Sequence, residues 1–142
     1  MNRKWFSIAA LLIAAVVLLN LSSCARSQEL VGITVTPQGS SVTLAGTAPA
    51  QQVSTQFTAL GSYIHPPETK DITSKAVWTT NSPSIIALDP NQPGLVTTTG
   101  QGCGTNLGVT ASVYSNPSNP SAGSVVVGSA TMNVDFVGIT CP

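Results

Sequence analysis

The residues of this 142-residue chain that carry chemistry are few and scattered. His65 is the one histidine, set between Ile64 and Pro66. A nucleophilic triad needs an imidazole beside a serine or cysteine and a carboxylate that orients it. The stretch His65-Pro66-Pro67-Glu68 instead reads as a stiff, solvated loop. Past Cys24 the acids are Glu29, Glu68, Asp71, Asp89 and Asp135. Acid–base cleavage of a glycoside needs two carboxylates held across a cleft. Only Glu68 and Asp71 are close in sequence, and both flank the same exposed loop. Asp71, Asp89 and Asn91 offer oxygens to calcium, yet no dense acidic run surrounds them, and turn formation accounts for all three. The sequence therefore predicts no catalytic residue, no metal and no cofactor.

Three cysteines remain, and their readings depend on where the chain goes. Met1-Asn2-Arg3-Lys4 is a short basic start, and Ile8 to Leu19 is an uncharged run of apolar and small residues. That run falls short of the roughly 20 apolar residues of a membrane span and fits a secretory signal. Leu21-Ser22-Ser23-Cys24 resembles the bacterial lipobox. The resemblance implies a lipoprotein signal peptide over residues 1–23 and diacylglyceryl transfer to Cys24, which becomes a new N-terminus and is acylated again. Several acyl chains anchor stably where one is marginal. An ordinary signal peptide containing a cysteine and an uncleaved anchor are the alternatives. Ala25, in the place where some enteric bacteria use Asp for inner-membrane retention, favours the outer membrane. Residues 24–29 form the lipidated Cys and a short tether, and residues 30–142 form the domain. Cys103 and Cys141 are then an even pair in an exported chain, for which a disulfide is the default. Two Cys with one distant His supply too few ligands for zinc; a pair of reactive thiols is the other alternative.

The positions of the domain read as strands. Formal charge is zero overall, but past Cys24 three bases (Arg26, Lys70, Lys75) face five acids. So mildly acidic a body offers phosphates no basic patch, which excludes nucleic acid as the expected partner. Ser and Thr recur beside Val, Ile and Leu, a composition that suits pleated, half-exposed strands. Val31, Ile33 and Val35 alternate with Thr34 and Thr36 before Pro37; Val42 and Leu44 follow; Val53, Thr55, Phe57 and Ala59 share one parity. Ala76, Trp78 and Thr80 share another, ahead of the turn Asn81-Ser82-Pro83. Ile85 to Leu88, Leu95 to Thr99 with Val96 inward, Leu107 to Val113 and a last strand from about Ser124 to Val137, apolar at the even positions Val126, Ala130, Met132, Val134 and Phe136, complete the set. Phe57, Trp78, Val96 and Phe136 are the expected core, with Trp78 as the large filler between sheets. Seven or eight short antiparallel strands at this spacing predict an all-β sandwich. Tyr114 and the tandem Ser115-Asn116-Pro117-Ser118-Asn119-Pro120 form a long hairpin loop, with Tyr114, Asn116 and Asn119 as a candidate binding tip.

The strand order also carries a resemblance. Ile33-Thr34-Val35-Thr36-Pro37, then Gln56-Phe57-Thr58-Ala59-Leu60-Gly61, Tyr63, Asp71-Ile72-Thr73, Val77-Trp78-Thr79-Thr80-Asn81-Ser82-Pro83, Ile86, Leu88 and Pro93-Gly94-Leu95-Val96-Thr97 run in sequence. This resembles the group 2 bacterial immunoglobulin-like domain, as in intimin- and invasin-type adhesins. It covers about residues 30 to 113 and weakens after Gly102, where this chain inserts Cys103, lengthens a hairpin and finishes at Cys141. The resemblance implies a surface or periplasmic module for adhesion, display or spacing. Fold alone does not assign chemistry. The expectation is a non-catalytic, lipid-anchored envelope protein whose one domain meets a protein or glycan partner, the alternative being a structural spacer or subunit with no ligand.

Overall fold

The structure is a computed structural model that describes residues 28–116, 121, 123–138 and 141. Cys24, Asn119 and the leader lie outside the described residues. The described chain is all-β, with ten strands: β1 (Glu29–Thr36), β2 (Gly39–Leu44), β3 (Ser54–Gln56), β4 (Thr58–Ile64), β5 (Glu68–Asp71), β6 (Val77–Thr80), β7 (Ile86–Leu88), β8 (Leu95–Thr98), β9 (Gly104–Tyr114) and β10 (Val125–Phe136).

These strands stack as a sandwich. One layer holds β2-β10-β9-β6 in that order. The other is built around β3 and β4, one extended run interrupted only at Phe57. Along it, Val53 O accepts from Thr98 N, Phe57 N donates to Gly94 O, and Ala59 O accepts from Ile72 N, at 2.8–2.9 Å. Extended residues of one parity aim their backbone groups to one flank. The segments of β8 and β5 therefore follow one another along that flank, with β1 on the opposite flank of β4 and β7 outside β8.

Alternation decides what fills the space between the layers. Val35, Phe57, Ala59, Ile86, Val96, Val109, Ala111, Met132 and Val134 are wholly enclosed there, and Phe136 nearly so. The even residues of β10 from Gly128 to Phe136 all turn inward. Val126, the remaining even member of that expected row, is half-buried against the same core. Gly128 permits the closest approach: a Cβ there would lie 2.5 Å from Ile33 O, so β1 crosses β10 where no side chain intervenes.

Three expectations are corrected. Val31 does not share a face with Val35. The pairing of β1 with β4 shifts between Leu30 and Gly32, and such a bulge adds one residue and reverses the facing beyond it, so Leu30 is buried and Val31 exposed. Trp78 keeps the predicted parity but is only half-buried, packed against the core with its indole N–H donating to Thr73 O at 3.0 Å. The enclosed central ring is that of Phe57, because β6 is an edge strand whereas Phe57 lies mid-layer. Finally, the described strands number ten, and one pairing is parallel. After Pro37 the chain crosses to the other layer without reversing, so β2 runs alongside β10 in the same direction.

Candidate functional site

Cys103 and Cys141 form a disulfide with Cα atoms 5.6 Å apart. It ties the connection after β8 to the segment beyond β10, as the cysteine pairing predicted. His65 stands exposed in the turn between β4 and β5, and Asp89 caps a turn by accepting from Asn91 N at 2.8 Å. Asp71 does the same for Thr73 N at 2.8 Å, and hydrogen bonds from Thr73 hold its carboxyl below the ordinary carboxylate range. Glu68 is also held low, first by the amide of Gln28 and then by Lys70, 3.0 Å away. Each of the three carboxyls thus has a local structural partner. Among the described residues no three His, Cys, Asp or Glu side chains gather where a metal ion could be held.

Of the candidate binding tip, Tyr114 and Asn116 are exposed and Asn119 lies outside the described residues. Tyr114 belongs to a larger feature. On the outer face of the β6-β9-β10 layer, Val77 sits opposite Ser112 and Ser112 opposite Val127, while Tyr114 sits opposite Val125. Directly paired residues share a face, so Val77, Val127, Tyr114 and Val125 surround Ser112 as one aliphatic and aromatic patch. Their exposures are 65%, 56%, 48% and 53%. A shallow groove of about 360 Å³ opens there, with Lys75 on its rim as its one charged lining residue. Further along the same face, Thr79, Thr110 and Ser129 continue the rows as ordinary polar surface.

A second depression, about 400 Å³, lies on the outer face of the opposite layer and includes Gln52, Ala87, Asp89, Asn91, Thr97 and Thr99. Its polar groups are largely engaged already. Thr97 Oγ1 lies 2.8 Å from Ser54 Oγ, and the Thr99 hydroxyl donates to Ser84 O at 2.8 Å. The apolar patch is therefore the candidate contact site.

Only one member of that patch, Tyr114, was among the residues expected to bind. Two signals pointed to the rest. Val77 adjoins the inward Trp78 and so must face outward. Val125-Val126-Val127 places three valines in succession on a strand of period two, so two of them face water.

A scan against models of protein families finds no match to this chain, and a search of curated proteins finds none either.

Proposed function

We propose that this protein is a non-catalytic lipoprotein of the bacterial envelope, anchored through Cys24, whose single immunoglobulin-like domain serves as a contact module. Strand adjacency supports the immunoglobulin-like reading. Such sandwiches place strands A, B, E and D in one sheet and C, F and G in the other. With β1 as A, β3 and β4 together as B, β6 as C, β7 as D, β8 as E, β9 as F and β10 as G, the observed neighbours follow that order. β2 and β5 are additions to it.

The observation that carries the contact role over a pure spacer is the clustering of Val77, Tyr114, Val125 and Val127 on one face. A spacer has no use for grouped apolar side chains in water, whereas contiguous apolar surface marks an interaction site. The expected partner is a component of the envelope. Two experiments test the reading. Cys24→Ala should abolish acyl labelling and release the protein from membranes; persistence of both overturns the anchor. A photo-crosslinking residue at position 127 should capture an envelope component in intact cells, and a face that captures nothing assigns the domain to spacing.

A further inference from the structure

The apolar patch and the tether leave the sandwich at the same end. Tyr114 and Val125 pair at the hairpin end of β9 and β10. β1 runs in the direction of β10, since Ile33 lies over Gly128 and β2 continues in parallel register from Gly39 opposite Thr131. Traced backward from Ile33, β1 reaches Glu29 beside Ile64 at the end that holds Val125. Gln28, the first described residue of the tether, is pinned there. The Gln28 amide donates to Glu68 at 3.0 Å, and Lys70 donates to Gln28 Oε1 at 2.7 Å. Four residue steps separate Gln28 from Cys24, a reach below roughly 15 Å.

We infer that the occupant of the patch is the lipid surface itself: the domain rests on the bilayer that holds Cys24, with Val77, Tyr114, Val125 and Val127 inserted at the headgroup boundary. The inference rests on the lipid-anchor reading above and names the partner of that site. So short a tether confines this end of the domain to the interface, which raises the local concentration of the patch at the bilayer without any further contact. The chemistry suits that position. Interfacial surfaces combine aliphatic side chains buried about 5–10 Å with basic residues on the polar side. Tyrosine places its ring at headgroup level. Lys75 on the rim can lay its stem along the apolar surface and keep its ammonium among phosphates. The opposite layer, with its hydroxyl-lined depression, then faces away from the membrane.

The test uses the mature, lipidated protein that begins at Cys24, reconstituted in phosphatidylethanolamine and phosphatidylglycerol vesicles whose acyl chains carry bromine. Two tryptophan reporters are compared, Tyr114→Trp on the patch and Ala87→Trp on the far layer, each against the unaltered protein with Trp78 alone. Bromolipid should quench the added emission at position 114 at least about twofold and leave that at 87 nearly unchanged. Adding Val77→Asp and Val127→Asp, both at exposed positions, should remove the quenching at 114 while the protein still floats with the vesicles. Floating protein with equal or absent quenching at the two positions overturns the docking while leaving the anchor intact. Unquenched emission at 114 that becomes shielded only as protein concentration rises assigns the face to a second copy, and also overturns it. Protein that does not float at all overturns the anchor reading, and the inference with it.

Discussion

Glu68 accepts from Gln28 and pairs with Lys70, and Asp71 accepts from the hydroxyl and amide of Thr73, so both carboxyls ionise more readily in the folded chain than free in water. A carboxyl with a lowered folded pKa contributes stability in full above its ordinary value and loses it as pH falls through the lowered one. Denaturant midpoints should therefore drop between neutral pH and about pH 3, and Glu68→Gln with Asp71→Asn should make that drop shallower. Both groups are exposed to solvent, so the change is small. The core rings separate more sharply. Phe57 is wholly enclosed, and Phe57→Ala should destabilise by about 3–5 kcal/mol. Trp78 is half-buried, and Trp78→Phe should lose about 1 kcal/mol with the bond to Thr73 O, read from urea midpoints. A larger loss at Trp78 than at Phe57→Ala would mean the tryptophan is the true centre of the core.

At the scale of elements, two glycines set where strands meet. Gly94, just before β8, has φ +81°, and a Cβ there would lie 2.2 Å from Phe57 O, within the junction that joins β3 to β4. Gly94→Ala should destabilise by more than about 1 kcal/mol from conformation alone, with the overlap added to it. Gly128→Ala forces Ile33 away from β10 and should loosen the crossing of β1 onto β10, seen as faster amide exchange in β1. Unchanged exchange there would show that the two layers tolerate a wider separation. The elements also explain the missed facing of Val31. Strict alternation was a sound guide within β9 and β10, where pairing is continuous over most of their length. It failed at the start of β1, where a bulge chosen by the pairing with β4 inserted a residue.

For the whole molecule, the Cys103–Cys141 disulfide closes a loop with a sequence separation of 38. In the chain-entropy account such a closure stabilises by about 4 kcal/mol. Reduction, or Cys141→Ser, should lower the unfolding free energy by roughly that amount, and the segment beyond β10 should exchange amides fastest. An unchanged midpoint would show that β10 holds its end without the link. The disulfide also leaves free the end of the sandwich where β1 begins, since it lies beyond the opposite end of β10.

What the sequence determined by itself was the class of structure and most of its interior. Period-two alternation needs no partner to be read, so the all-β class, the inward rows of β9 and β10, and Phe57, Val96 and Phe136 as core were legible, as was the pairing of Cys103 with Cys141 once export was inferred. Only the tertiary structure decided matters that depend on neighbours distant in the chain. The parallel docking of β2 on β10, the division of one run into β3 and β4, and the replacement of Trp78 by Phe57 at the centre each follow from which strand lies beside which. The candidate site belongs to that second kind. Val77, Tyr114, Val125 and Val127 are separated by up to fifty residues, and of these only Tyr114 stands out in the sequence as a candidate contact residue. Cross-strand registers bring them onto one face, and the direction of β1 sets that face at the end where β1 begins.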